Sequence, residues 1–213
     1  LQSAKDTDAT VFYFLKHLDG TGFDTSVAVS SERVGGSGRE IGLRYRTKVT
    51  ADGQYSAYAQ PDLAGRVLTA ALGTDAVTAS SGGNFTHKIV SGSANTLPYQ
   101  TVEQAWGDAV ERTSNCLISD LKLDGEAGKP VKLMAQFISG GTPHTQGTTL
   151  GAVTRESSFP LMVPGGSAAI TASQSGGFGT QASSLQLTKW SVDIKNQLDD
   201  SIQTVALNRE DVL

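Results

Sequence analysis

The sequence predicts a single β-rich domain with one docked α-helix, and its length and composition support this class. The chain has 213 residues, enough for one large domain with a substantial core. Charged residues make up only 18% of it, whereas 24 glycines and 44 serines and threonines supply small and polar side chains. This composition favours strands joined by long loops, because helical bundles need Ala, Leu, Glu and Lys. No interdomain linker is evident, so we predict one domain over residues 1–213.

The first elements predicted along the chain are two short strands and a loop. Residues 11–15 are apolar, aromatic and β-branched, which indicates a buried strand. Residues 19–24 predict a turn, and residues 25–31 a second strand. Residues 32–40 carry three glycines between charged ends and predict a flexible loop.

Residues 41–50 show the clearest period of two in the chain. Ile41, Leu43, Tyr45, Thr47 and Val49 alternate with Arg44, Arg46 and Lys48. This pattern predicts a long strand with one apolar and one basic face. Asp52-Gly53 is a typical hairpin turn, so we expect residues 54–60 to return beside the strand.

Residues 61–72 are the one segment with a clear helical pattern. Pro61 suits the first helical position, and Asp62 complements the positive end of the helix dipole. Apolar residues recur at helical spacing from Leu63 to Leu72, and Gly73 suits a cap with positive φ. The helix is predicted to pack on a sheet.

Strands recur in the rest of the chain. They are predicted at residues 85–90, 99–106, 116–123, 131–138, 168–172, 185–195 and 201–207. Residues 124–128 join two of them as a hairpin, in which Leu117, Leu121 and Leu123 are predicted to share a face. Residues 140–159 are loop-like. Residues 208–213 have no evident place in a compact core, so we expect them to form a C-terminal arm.

Charge, cysteine content and motifs argue against enzymatic chemistry. The formal net charge is −4, so no basic excess favours a phosphate-binding surface. Cys116 is the single cysteine, which excludes an internal disulfide framework. No apolar run approaches the ~18 residues of a membrane-spanning helix, so we expect no membrane insertion. With no catalytic or ligand-binding motif, we expect no enzyme, no metal and no cofactor.

Residues 61–140 resemble the central part of the major tail tube proteins of long-tailed bacteriophages. The matching features are the helix ending at Leu72-Gly73, Phe85-Thr-His87, Leu97-Pro98, residues 115–123 and residues 129–140. In that family a small residue followed by L-x-x-L-x-L, a glycine turn and an amphipathic return strand recur. The flanking segments agree in general character: a long hairpin before the helix, then a glycine-rich region and a closing strand with a tail.

This resemblance implies a β-sandwich or β-barrel flanked by the helix, the fold shared with the inner tubes of contractile tails and type VI secretion. Family members form rings, usually sixfold, that stack into a tube through which viral DNA passes without specific binding. It implies a structural virion protein assembled in the cytoplasm of the bacterial host. Its partners would be further copies of itself, the tape measure protein, the tail terminator and baseplate proteins.

Three groups of residues are predicted to serve assembly. Charged residues of the 32–40 loop are predicted to contact the next ring: Glu32, Arg33, Arg39 and Glu40. Contacts between neighbouring subunits are predicted for Arg44, Arg46, Lys48, Arg209, Glu210 and Asp211. Strand position makes three carboxylates candidates to face the lumen: Glu103, Asp120 and Asp193.

Two other interpretations remain open from the sequence. A β-sandwich binding module, such as a carbohydrate-recognition or adhesin domain, fits strands rich in Ser, Thr and Gly equally well. Such sites usually present exposed aromatic side chains, whereas Trp106 and Trp190 lie in strand patterns that favour packing. Another tail component, such as a baseplate hub or tail terminator, is the second alternative.

Overall fold

A computed structural model describes residues 9, 11–15, 17–32, 43–91, 97–106, 109–139, 145–147, 153–163 and 188–198. The described part is mainly β, with one α-helix, α1 (Pro61–Leu72), and a short 3-10 turn at Ser81–Gly83. The strands are β1 (Phe12–Tyr13), β2 (His17–Glu32), β3 (Leu43–Tyr58), β4 (Gly73–Ala79), β5 (Phe85–Ser91), β6 (Gln100–Trp106), β7 (Ala109–Glu126), β8 (Lys132–Ser139), β9 (Thr145–Gly147), β10 (Val153–Thr154) and β11 (Lys189–Lys195). The predicted fold class, mainly β with one flanking helix, is confirmed.

The main sheet is antiparallel and open. Its strands follow the order β11-β7-β8-β3-β2, while β6 and β9 also pair with β7. The strands that the structure describes therefore do not close into a barrel. Two small sheets accompany the main one: the antiparallel pair β4–β5 and the parallel pair β1–β10.

Strand β7 pairs with four other strands of the main sheet and contains a residue with positive φ near its middle. Asn115 has φ of 55°, a left-handed conformation that Asn tolerates better than most residues. Residues of β7 up to Cys116 pair with β6 and β9, and residues from Cys116 onward pair with β8 and β11. One strand therefore serves two sets of neighbours, which change next to Asn115.

The long hairpin before the helix is formed by β2 and β3, and the turn predicted at Asp52-Gly53 is wrong. Strand β3 continues through both residues, which pair with Asp24 and Phe23 of β2. Gly53 is needed for a close approach, because a Cβ atom there would lie 2.6 Å from the Gly22 carbonyl oxygen. The turn predicted at 19–24 is also wrong, since β2 passes through it with a register shift at Gly22, whose φ is 69°.

The core lies between β3, β7, β8 and the helix. In β8, Leu133, Ala135 and Phe137 are buried and alternate with exposed neighbours. Opposite them, Ile118 faces Phe137 and Leu121 faces Ala135. The register shifts between Ile118 and Asp120, so the predicted shared face of Leu117, Leu121 and Leu123 is wrong: Leu117 pairs with Ile138 on the other face.

Helix α1 occupies the predicted residues and is capped by a distant side chain. The Glu156 carboxylate accepts hydrogen bonds from the backbone N–H groups of Asp62 and Leu63, both at 3.0 Å. A carboxylate is favourable there because the helix N-terminus carries partial positive charge. At the other end, Gly73 has φ of 105° and its N–H donates to the Thr69 carbonyl. Helix α1 packs against β4, β5 and β7.

The remaining predicted elements divide into those that the structure describes and those that it does not. Predicted strands at 85–90, 99–106, 116–123, 131–138 and 185–195 correspond to β5, β6, β7, β8 and β11. Between helix α1 and β5 the structure contains β4, a strand that the sequence analysis did not predict. The strands predicted at 168–172 and 201–207 lie outside the described residues. Within the described chain, no helix has the length and apolar character needed to cross a bilayer.

Candidate assembly surfaces

The two strands at the ends of the main sheet, β2 and β11, each pair on one side only within the described part of the chain. The backbone of β11 shows which groups point outward. Asn196 donates its N–H to Ser119 O, and Ala127 donates its N–H to Thr188 O. Since donors alternate along an antiparallel strand, Ser191 and Asp193 point their backbone N–H groups away from β7. Among the described residues, no strand pairs with these outward donors of the β11 edge.

One face of the main sheet is covered and the other is polar. On the covered face, Trp190 and Ile194 of β11 pack against the core. On the opposite face Asp193 lies directly across from Lys122, and Lys195 lies across from Asp120. Each of these carboxylates therefore faces a lysine, and we call this surface the polar sheet face.

Asp124 strengthens the pattern of paired charges on the polar sheet face. Its carboxylate lies 3.2 Å from the Lys122 ammonium. Burial is the largest single influence and raises the pKa of Asp124, but hydrogen bonds from Ser191 and Lys122, together with the charges of Lys122 and Lys189, outweigh it and lower the pKa. At the adjoining turn, the hydrogen bond and charge of Lys129 lower the pKa of Glu126. Acidic and basic side chains therefore alternate on this surface, which combines several charges with little net charge.

The three predicted lumen carboxylates differ in placement. Asp193 is exposed and Asp120 is half-buried, and both lie on the polar sheet face. The Glu103 side chain is only 4% exposed, and its Oε1 accepts a 2.6 Å hydrogen bond from Arg112 Nε. The structure therefore brings Asp120 and Asp193 together and puts Glu103 into a separate ion pair.

The other predicted assembly residues are described only in part. Glu32 is the last residue of β2, and Arg44, Arg46 and Lys48 belong to β3. The pairing register shifts between Lys48 and Arg46, which interrupts the regular alternation that the sequence predicts. The following predicted residues lie outside the described part of the chain: Arg33, Arg39, Glu40, Arg209, Glu210 and Asp211.

Residues 11–15 form a surface strap, which the sequence pattern did not predict. Only Phe12 and Tyr13 are in a strand, and Val11, Tyr13 and Phe14 are 56%, 38% and 39% exposed. The predicted buried strand is therefore wrong. Three consecutive aromatic rings of the strap each lie beneath a guanidinium group: Arg112 over Phe12 at 5.7 Å, Arg66 over Tyr13 at 3.6 Å and Arg155 over Phe14 at 4.3 Å.

A cavity of about 390 Å³ lies beneath the strap, between helix α1, β6 and the core. Its base includes Tyr55, Ile118 and Phe137. The Tyr55 hydroxyl donates a 2.5 Å hydrogen bond to Gln104 Oε1, and Gln104 Nε2 donates to Glu111 at 2.7 Å. Burial is the main cause that raises the pKa of Tyr55 to about 12, and the nearby Glu111 carboxylate adds to it.

The described residues show no arrangement that points to catalysis. No group of three or more His, Cys, Asp or Glu side chains there could hold a metal ion. The thiol of Cys116 is fully buried, and burial raises its pKa, so it is a poor nucleophile. His87 contacts Asp75 at 2.7 Å across the exposed β4–β5 hairpin, a carboxylate partner that the sequence pattern did not indicate.

Among the described residues, the open sheet, its terminal strands paired on one side only and its face of paired charges are typical of a structural domain. Comparison with protein families gives the same class: the family model described as "Phage tail tube protein" matches residues 6–213, nearly the whole chain. No curated protein sequence matches the chain significantly. The chain belongs to the phage tail tube protein family, and it is therefore a structural component of the phage tail in the virion.

Proposed function

We propose that this chain is the repeating subunit of a hollow tail tube, in which copies close into sixfold rings and the rings stack. The observation that carries this proposal is the open main sheet, whose terminal strands β2 and β11 each pair on one side only among the described residues. Edges of this kind favour pairing with another chain. In a ring, β11 of one copy pairs with β2 of the next, and one continuous sheet surrounds the axis.

The polar sheet face lines the lumen of this tube. Its carboxylates Asp120 and Asp193 lie across from Lys195 and Lys122, so the surface is hydrated and nearly neutral. A surface of this kind neither binds phosphates strongly nor repels them, which suits a passage for viral DNA. We favour Asp120 and Asp193 as lumen residues over Glu103, whose carboxylate is occupied by Arg112.

The remaining charged groups serve contacts between copies in this proposal. Residues 32–40 contact the next ring through Glu32, Arg33, Arg39 and Glu40. Arg44, Arg46 and Lys48 contact the neighbouring subunit within a ring, and the 208–213 arm docks on an adjacent copy. The whole chain acts as one domain that assembles in the host cytoplasm with the tape measure, terminator and baseplate proteins.

The edge of β11 provides a direct test of ring closure. Ser191→Pro removes a backbone donor that points away from β7, and proline is tolerated at sheet edges. The matched control Ser191→Ala loses the same hydroxyl but keeps the donor. An acceptor left unpaired at an interface costs about 1–3 kcal/mol, so the proline variant should need a roughly tenfold or higher protein concentration to assemble.

Assembly is measured by negative-stain microscopy and sedimentation over a concentration series, with circular dichroism to verify that both variants fold. We expect Ser191→Ala to assemble like the unmodified protein and Ser191→Pro to remain mostly unassembled. Tubes of Ser191→Pro at the unmodified protein's concentration would contradict pairing through this edge. An unmodified protein that stays monomeric at every concentration would contradict the tube itself.

A further inference from the structure

The outer half of the β4–β5 hairpin is exposed on both of its faces. In each strand the four residues next to the turn are exposed. Val77 pairs with His87 and Ala79 pairs with Phe85, so Val77 and Phe85 are diagonal neighbours on one face. Val77 is 54% exposed and Phe85 is 64% exposed. We call this apolar surface the hairpin patch (Val77, Ala79 and Phe85).

A second apolar surface lies on the segment that follows β10. Phe159, Leu161 and Met162 are 90%, 44% and 55% exposed, and we call them the Phe159 patch. Main-chain hydrogen bonds fix its place, because the Leu161 N–H donates to the Ala59 carbonyl and the Val131 N–H donates to the Leu161 carbonyl. The other exposed large apolar residues that the structure describes belong to the strap or stand singly in strands: Leu18, Val90, Met134 and Val192.

Helix α1 separates the two patches. Glu156, three residues before Phe159, caps its first turn. In its last turn the Ala71 carbonyl accepts a hydrogen bond from Asn196, which also donates to the Ile118 carbonyl of β7. The hairpin begins directly after the helix, with β4. A helix of 12 residues spans about 18 Å, so the Phe159 patch and the base of the hairpin lie at its opposite ends.

The helix runs along the strands, so the patches also belong to opposite ends of the main sheet. The Phe159 patch is bonded to Ala59, just after β3, where Tyr58 pairs with Lys132 at the start of β8. The last turn of the helix is bridged to Ile118, which pairs with Phe137 near the end of β8. We call these the Phe159 end and the hairpin end of the sheet.

The proposed tube sets these two ends against each other. In a ring the strands pair side by side around the axis, at about 35–45° to it, so the ends of the sheet face the rings above and below. Strand β3 extends from Gly53 past the hairpin end to Leu43, which pairs with Glu32. The loop predicted for stacking therefore begins on the side of the hairpin. Rings that stack in one direction bring the hairpin end of one copy to the Phe159 end of another.

We propose that the hairpin patch of one copy packs against the Phe159 patch of a copy in the next ring. Both surfaces lose exposed apolar area, and this burial stabilises the stacked rings. The inference rests on the proposed tube and adds a second contact to the one proposed for residues 32–40. A contact between two different surfaces of identical copies repeats without closing, so it allows a tube of many rings.

Disulfide cross-linking of full-length chains tests the contact. A chain with both Phe85→Cys and Phe159→Cys is assembled, oxidised mildly and separated on denaturing gels without reductant. The matched control combines Val90→Cys with Phe159→Cys, because Val90 is exposed in the same strand but on the opposite face. We expect a ladder of linked chains, with at least about tenfold more product than the control gives. Cys116 does not contribute, because its thiol is fully buried.

Charge substitution tests what the contact does for stacking. Phe85→Asp should yield rings that do not elongate into tubes, because a carboxylate would be buried against apolar side chains. The control Val90→Asp should give normal tubes. Adding Phe159→Lys to Phe85→Asp should restore tubes, since the two charges then meet across the contact. Negative-stain microscopy counts rings and tubes, and circular dichroism verifies that each variant folds.

The outcomes separate this inference from the proposed function. Tubes of the Phe85→Cys, Phe159→Cys chain that give no more ladder than the control would overturn the contact and leave the tube intact. A ladder that ends at the number of chains in one ring, or a chain that closes on itself, would overturn a contact between rings. Normal tubes of Phe85→Asp, or no rescue by Phe159→Lys, would overturn its role in stacking. Absence of rings and tubes in the unmodified protein would overturn both proposals.

Discussion

The hairpins β7–β8 and β4–β5 have similar local geometry but very different burial. Both are antiparallel pairs joined by short turns in which glycines adopt positive φ: Gly128 in the first, Gly82 and Gly83 in the second. In the first hairpin Leu121 and Leu133 are each 1% exposed. In the second, Val77 and Phe85 are 54% and 64% exposed.

This difference shows that strand pairing alone does not determine where the subunit is stable. An isolated two-stranded hairpin is marginal in water, and stability comes from burying a face. The β7–β8 hairpin buries one face in the core, whereas the contacts of β4–β5 within the described part of the chain are mainly cross-strand, such as His87 with Asp75, and with helix α1. Stability should therefore be concentrated in the main sheet.

Truncating one side chain in each hairpin tests whether stability is concentrated in the main sheet. This comparison has the largest expected effect. Leu121→Ala should lower the free energy of unfolding by about 3 kcal/mol, because it leaves a cavity in the core. Val77→Ala should change it by no more than about 0.5 kcal/mol. Urea denaturation of dilute, unassembled subunits measures both. Equal losses would show that the exposed hairpin is as important to the subunit as its core.

Two glycines, one in the β7–β8 hairpin and one in helix α1, differ in steric crowding. A Cβ atom on Gly125 of β7 would collide with the Trp190 ring, whereas one on Gly65 of α1 would meet no atom within 4 Å. Gly125→Ala should therefore destabilise by about 2 kcal/mol through overpacking. Gly65→Ala should stabilise by about 0.5–1 kcal/mol, since alanine favours helix.

Urea denaturation and tryptophan fluorescence follow both glycine substitutions. Displacement of Trp190 should change the emission of the Gly125→Ala variant and leave that of Gly65→Ala unchanged. A Gly125→Ala subunit with normal stability and emission would indicate that Trp190 moves freely at the β11 edge.

A contrast between local chemistry and distant contacts explains how much of this fold the sequence predicts. Period and capping residues predict helix α1 and the hairpin around residues 124–128, because both depend on local chemistry. The turn predicted at Asp52-Gly53 is wrong because Gly53 instead allows the close approach of the Gly22 backbone. A single sequence contains no signal for such a distant contact. The register shift at Ser119 of β7 cannot be predicted from the sequence either. One extra residue moves the side chains that follow to the opposite face of the sheet without changing the composition.

For the candidate lumen carboxylates too, the sequence predicts what local alternation determines and misses what strand pairing determines. Alternation along β7 and β11 suffices to place Asp120 and Asp193 as candidates for one face. It does not show the lysines opposite them, because register between β7 and β11 depends on strands some 70 residues apart in sequence. Glu103 fails to join them because its Arg112 partner lies on the adjoining strand β7, which only the pairing reveals.

The smallest predicted effect concerns pH and the buried Tyr55. Its pKa is raised from 10.0 to about 12, chiefly by burial. A raised pKa in the folded state means that folding favours the neutral phenol. The stability that this preference contributes is complete below pH 10 and is lost as the pH rises through 12. The buried Cys116 thiol acts in the same direction, because its pKa is also raised.

Tyr55→Phe isolates the tyrosine contribution to this pH dependence. The variant should lose about 1 kcal/mol near neutral pH with the hydrogen bond to Gln104. It should then lose less further stability than the unmodified subunit between pH 10 and 12, since only the Cys116 contribution remains. Urea denaturation at a series of pH values measures both curves. Parallel curves over this range would mean that folding does not disfavour the Tyr55 phenolate, which would contradict the burial of this side chain that distinguishes it from the exposed residues of the β4–β5 hairpin.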